Sequence, residues 1–137
     1  DGDQDILVVM GGAYEGDVFF NSVYINPYQD DSKWITLKLE GTKANKAAIG
    51  SKIEVKITEN GVQRSIFHTV SSGGSFGAST LRAQIGLGQT SKINEVRILW
   101  AGSNTTQIFK NLDVNTFYKI KEDQAKAVNM NIQPAFR

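Results

Sequence analysis

Apolar and polar side chains alternate along most of this chain, and that alternation decides its class. Within residues 52–58, Ile53, Val55 and Ile57 take turns with Glu54, Lys56 and Thr58, the period of two that gives a strand one buried face and one wet face. The run ends at Asn60-Gly61, a pair suited to the positive φ angles of a two-residue type I′ turn, so residues 52–58 and 62–70 are predicted to form an antiparallel hairpin. Similar runs predict strands over residues 6–10, 18–25, 34–39, 81–85, 95–100, 106–110, 117–121 and 131–135. Turn signals separate them, among them Gly11-Gly12, Glu40-Gly41-Thr42, Gly86-Leu87-Gly88 and Ala101-Gly102-Ser103-Asn104. Residues 123–128 have the length of a helical turn but lack an apolar stripe, and they read as a linker to the tail. The expected fold is all-β, an antiparallel β-sandwich or a barrel-like domain, with short loops and mostly local, antiparallel connections.

Composition narrows the function classes. A chain of 137 residues with 40% hydrophobic content can close one core without covalent staples. Cysteine is absent, which removes disulfides, thiolate metal sites and cysteine nucleophiles but leaves the compartment open. No apolar run approaches the roughly 20 residues that span a bilayer as a helix. The chain opens on Asp1-Gly2-Asp3 without an initiator methionine and so reads as part of something longer. Acids dominate its start, with Asp1, Asp3, Asp5, Glu15, Asp17, Asp30 and Asp31 all preceding Lys33, the first basic residue. The body that follows is only mildly basic, too little to predict a nucleic-acid partner.

Two constellations carry most of the functional expectation. Asp1-Gly2-Asp3-Gln4-Asp5 runs straight into Ile6-Leu7-Val8-Val9, and carboxylates spaced around a glycine turn can wrap oxygens around calcium. This resembles the second half of the aspartate-rich loop of FG-GAP/VCBS repeats, the blades of integrin-like β-propellers. The resemblance implies that Asp1 and Asp5 are side-chain ligands and Asp3 a backbone ligand, with two further ligands lying before residue 1. Half a loop is expected to be empty, whereas an intact parent protein would hold calcium.

The second constellation spans residues 33–122. Lys33-Trp34-Ile35-Thr36-Leu37-Lys38-Leu39-Glu40-Gly41-Thr42-Lys43-Ala44-Asn45-Lys46 leads to Ala48-Ile49-Gly50-Ser51, then Ser72-Gly73-Gly74-Ser75-Phe76, Ile85-Gly86-Leu87-Gly88 and Val96-Arg97-Ile98-Leu99-Trp100. In order and spacing these blocks resemble the ASPIC/UnbV domain. It departs from the family pattern at Phe76-Gly77-Ala78-Ser79, at Ile85 and at Ala101-Gly102-Ser103. Such domains typically follow FG-GAP/VCBS repeats in secreted or surface-exposed proteins, so the two resemblances support one another. They imply a repeat remnant over residues 1–31, an ASPIC/UnbV-like β domain over 32–124 and a tail or linker over 125–137. The implied partners are the preceding repeats of the same chain and an extracellular protein or glycan.

Read from the residues themselves, the candidate contact surface comprises Lys43, Asn45, Lys46, Ser72, Ser75, Phe76 and Trp100, chosen for loop placement and for their hydroxyl, cationic and aromatic groups. Against it stand structural readings. Trp34 and Trp100 fall at core-facing positions, and Gly86 and Gly88 suit a bulge better than a phosphate cradle because no helix follows. His68 is the sole histidine, with no serine and acid signalled beside it. Glu40, Glu54, Glu59, Glu95 and Asp113 lie in different elements and make no evident acid/base pair. The expected function is therefore a non-catalytic binding module. The alternatives are a purely structural cap of the propeller, which would leave residues 6–10 and 18–25 as an orphaned apolar surface, and a polysaccharide-active enzyme domain.

Overall fold

The computed structural model describes residues 4–12, 14–16, 18–27, 31–74 and 77–131. The chain separates into two compact units, residues 1–30 and 31–137. In the first unit, β1 (Ile6–Val8) pairs antiparallel with β2 (Ser22–Tyr24), Leu7 facing Val23. The Asp5 Oδ1 accepts the Asn26 N–H at 2.9 Å and extends the ladder by one step. Both strands are shorter than the alternation predicted, because this sheet has two strands only and a lone hairpin holds few pairs together.

The second unit is a sandwich of two four-stranded sheets. One has the order β10-β9-β3-β6, from β3 (Lys33–Glu40), β6 (Arg82–Gly88), β9 (Thr116–Lys121) and β10 (Val128–Asn129). The other has the order β5-β4-β7-β8, from β4 (Lys52–Glu59), β5 (Val62–Thr69), β7 (Ile93–Leu99) and β8 (Thr106–Phe109). The alternation explains the layering. Ile35, Leu37 and Leu39 of β3, Ala83, Ile85 and Leu87 of β6 and Tyr118 and Ile120 of β9 meet Ile53, Val55 and Ile57 of β4 and Val96 and Ile98 of β7 in one buried core. The sheets do not close into a barrel, which leaves the sandwich of the two expected forms.

The predicted hairpin is present in full register, Lys52 opposite Thr69 and Glu59 opposite Val62. Its turn has φ of 51° at Asn60 and 79° at Gly61, both positive as type I′ demands. Strand pairing is mostly antiparallel and between consecutive strands, as expected, with one exception: β3 lies parallel to β9, Ile35 opposite Thr116 through Glu40 opposite Lys121. The segment 123–128, read as a linker, runs into a short edge strand, Val128 and Asn129 pairing with Lys119 and Tyr118. The linker expected over 125–137 thus contributes to the sheet, and the strand expected over 131–135 lies, apart from Asn131, outside the described residues.

Gly86 and Gly88 do mark a bulge. Lys33 pairs with Gly88 and Trp34 with Gly86, so Leu87 is the extra residue on β6, its side chain turned into the core. A clamp from the other sheet holds this kink. The Arg64 Nη2 donates to the Leu87 carbonyl at 3.1 Å, Arg64 Nε donates to Glu59 Oε2 at 2.9 Å, and Glu59 Oε1 accepts the Gln89 N–H at 2.7 Å. At Gly88, φ is +67° and a Cβ would collide with the Glu59 carboxylate and the Arg64 guanidinium. Gly88→Ala is expected to destabilise the domain by about 2 kcal/mol or more, the left-handed backbone and the displaced clamp acting together. Thermal denaturation of the variant beside the parent chain checks this.

Candidate functional site

The loop between β3 and β4 is the best-organised surface feature of the sandwich. It begins at Gly41, where the chain turns so tightly that a Cβ would strike the carbonyl oxygens of Asn45 and Ala44. Beyond it the backbone N–H groups of Thr42, Lys43 and Ala44 converge on a single carboxylate oxygen, Oε2 of Glu122, at 2.8, 2.7 and 2.7 Å. The other oxygen, Oε1, accepts the Ser103 hydroxyl at 2.5 Å and the Thr105 hydroxyl at 3.3 Å. Glu122 therefore ties three segments together: the 41–50 loop, the turn after β7 and the end of β9.

Only 1% of Glu122 is exposed, and burial of a carboxylate without partners pushes its pKa up. Here burial does push upward, but donation from Ser103 and from the N–H groups of Ala44, Thr42 and Lys43 outweighs it and holds the carboxyl at about 2, below its ordinary 4.5. Sequence reasoning passed over this residue. The signal was there in the alternation of β9: Tyr118, Ile120 and Glu122 share the inward face, so a charge at the third position had to find donors inside.

The predicted contact residues meet different fates. Lys43 and Lys46 are exposed on the 41–50 loop, Lys43 paired to Asp123 at 3.2 Å and Lys46 to Glu40 at 2.6 Å. Asn45 stands between them, but its amide is spent inside the loop. Its Oδ1 accepts the Ile49 N–H at 2.9 Å and its Nδ2 donates to the Ile49 carbonyl at 2.8 Å, so Asn45 shapes the loop and has little left to offer a ligand. Ser72 is exposed in a loop whose root is fastened to the first, Gly50 N–H donating to Val70 and Val70 N–H to Ser51. Ser75 and Phe76 lie outside the described residues.

Trp100 is a correction. It is 0% exposed, among the largest buried side chains, because it continues the inward face of Val96 and Ile98 past the end of β7. No ligand on the surface can reach it. Its indole N–H finds no acceptor among the described residues.

Of the predicted calcium ligands, Asp1 and Asp3 lie outside the described residues. Asp5 is described, with one oxygen already engaged by the Asn26 N–H. Calcium takes about 6–8 oxygens, and among the described residues no group of three or more candidate ligands gathers.

The other acids weighed above are each engaged by a cation, an N–H group or a hydroxyl. Glu40 lies between Lys119 and Lys46, each at 2.6 Å, and hydrogen bonds from Lys119 and then Lys46 hold it at about 2. Glu59 is lowered first by the Gln89 N–H and then by Arg64, and Glu95 first by Lys56. Glu54 accepts the Ser65 hydroxyl at 2.8 Å, and Asp113 Oδ2 that of Tyr118 at 3.3 Å. His68 lies half-buried on β5 opposite Ile53.

A sandwich of two open sheets with a carboxylate-tethered loop defines an all-β domain. The family model described as ASPIC and UnbV matches residues 41–127, more than half of the chain, and the chain belongs to that family. The match begins at Gly41, yet β3 before it is the central strand of its sheet, so the folded unit is larger than the matched segment. Searches of curated proteins and of solved structures found no match.

Because the folded-state pKa of Glu122 lies below the ordinary value, its contribution to stability is complete above pH 4.5 and is lost as pH falls toward about 2. Glu122→Gln, which replaces an acceptor of three N–H groups by a side chain that cannot be charged, is expected to flatten that acid limb. Glu122→Ala is expected to cost about 3 kcal/mol or more at neutral pH by leaving buried donors without a partner. Urea denaturation at several pH values between 2 and 7 checks both.

Proposed function

We propose that the chain is a non-catalytic interaction module of an extracellular or cell-surface protein, joined through its N-terminal hairpin to FG-GAP/VCBS repeats that hold calcium. One observation carries the attachment to further repeats. In the β1–β2 unit, Ile6, Leu7, Val9, Val18, Phe19, Val23 and Ile25 are all exposed, and Phe20 is 92% exposed. A two-stranded hairpin is marginal on its own, and apolar surface gathered on one small element marks a place where more protein packs. Further repeats of the same parent chain would supply it. Contact with an extracellular protein or glycan then falls to the exposed Lys43 and Lys46 and to the loop carrying Ser72.

The same hairpin also favours a second reading, a structural cap that seals the propeller and has no ligand of its own. A polysaccharide-active enzyme domain has less support. A glycosidase keeps one carboxyl protonated by raising its pKa, whereas Glu40, Glu59, Glu95 and Glu122 are all lowered.

A glycan and matrix-protein binding screen of the full-length parent, with and without calcium, separates the readings. The module reading expects interactions that disappear when residues 33–122 are deleted and weaken on alanine replacement of Lys43, Lys46 and Ser72. Binding untouched by the deletion leaves the cap. In hydrogen exchange, the amides of Leu7 and Val23 are expected to exchange fast in the present chain and to be protected in the parent, and equal exchange in both would sink the packing argument.

A further inference from the structure

The outward face of the β10-β9-β3-β6 sheet carries an arrangement that folding alone does not account for. Lys38, at the centre of β3, stands in register with Arg82 of β6 on one side and with Lys119 of β9 on the other. Like charges directly opposite one another on neighbouring strands are destabilising, yet here three cations form a row. One step along β9, Lys121 adds a fourth, opposite Glu40, and Lys46 leans in from the loop. Glu40 is the one carboxylate in this group, shared between Lys46 and Lys119. Among the described residues Lys38, Arg82 and Lys121 have no ion pair. Lys38, Lys46, Lys119 and Glu40, with Ala47 and Leu81, line a cleft of about 330 Å³.

Toward the other end of the same strands the character changes. Trp34, Asn115, Thr116, Phe117, Asn129 and Asn131 line a second cleft of about 190 Å³. The side-chain oxygens of Asn115 and Asn129 accept backbone N–H groups, from Trp34 at 3.2 Å and Asn131 at 2.8 Å. Their amide NH₂ groups and that of Asn131 donate to nothing among the described residues. Phe117 lines this second cleft, and the Arg82 guanidinium of the cation row lies 5.3 Å above its ring centroid.

From this juxtaposition of a cation row with a strip of amide donors, we propose that this sheet face binds an acidic polysaccharide, its carboxylate or sulfate groups on Arg82, Lys38 and Lys119 and its hydroxyls on the asparagine amides. Charge complementarity selects a polyanion. The asparagine amides, which suit sugar hydroxyls, favour a polysaccharide, and Phe117, which could otherwise stack a base, is covered by Arg82. The proposal deepens the binding-module reading by naming a ligand class, and it moves the contact from the loops to the sheet.

The test uses the whole chain and four probes: heparin, polygalacturonate, neutral dextran and a single-stranded oligonucleotide, each titrated by calorimetry at low and at physiological ionic strength. Expected is binding of the two acidic polysaccharides, weakened by salt, absent for dextran, and reduced about tenfold by Lys38→Glu and several-fold by Arg82→Gln. Lys52→Glu, an equal charge change on the outward face of the opposite sheet, is expected to leave it unchanged. Lys38 is exposed, and thermal melts of each variant verify that the fold is kept. The proposal is overturned if neither acidic polysaccharide binds at low ionic strength, if Lys52→Glu weakens binding as much as Lys38→Glu, or if the oligonucleotide binds more tightly than both. Should loop changes at Lys43 and Ser72 remove binding that Lys38→Glu leaves intact, the sheet-face proposal fails while the binding-module reading stands.

Discussion

The Glu122 carboxylate is the interaction on which the arrangement of the loops depends. A sandwich made of alternating strands fixes its own layers through apolar burial, but burial has no direction and does not say how the connections at the ends should lie. Directional bonds do that. Three consecutive N–H groups from Thr42, Lys43 and Ala44 meet one oxygen, while Ser103 and Thr105 meet the other. Charge-assisted bonds of this kind are about twice as strong as neutral ones, and out of contact with water they lose little to competition. Through this one side chain the start of β4's lead-in loop, the turn after β7 and the end of β9 share a single anchor.

Placement of the exposed lysines follows from that anchor. Lys43 gives its N–H to Glu122 and its ammonium to Asp123, the next residue along, so its side chain leaves the loop in a set direction. Lys46 comes out beyond the Asn45 bracket and reaches Glu40, which Lys119 also holds. The loop and the basic sheet face therefore meet at Glu40 and are built as one continuous surface.

The strands of this fold were legible in the sequence to the extent that they were local. Period-two alternation located β3 through β9, and Asn60-Gly61 announced its hairpin, because both signals lie within a few residues. What was not legible depends on distant partners. The parallel pairing of β3 with β9 leaves no local trace, and without it the row formed by Arg82, Lys38 and Lys119 is three unrelated basic residues in three separate segments. Asn45 looked free on a loop because the bracket it makes with Ile49 is a matter of backbone geometry. Trp100 looked exposed for its position beside a turn, though its place in the β7 alternation already assigned it to the core. Glu122 went unnoticed because acids were sought in pairs, whereas a solitary acid at an inward position is the informative case.

The neighbours of β3 also govern the order in which the molecule can be completed. One flank of the strand is closed by β6, but the other waits for β9, some eighty positions further along the chain. During synthesis the β4–β5 hairpin can form early, and the opposite sheet can gain β7 and β8, while β3 still presents an unpaired edge. The first strand of the sandwich is thus among the last to be enclosed, and a nascent chain halted before residue 116 would carry an open strand edge at the centre of the future sheet.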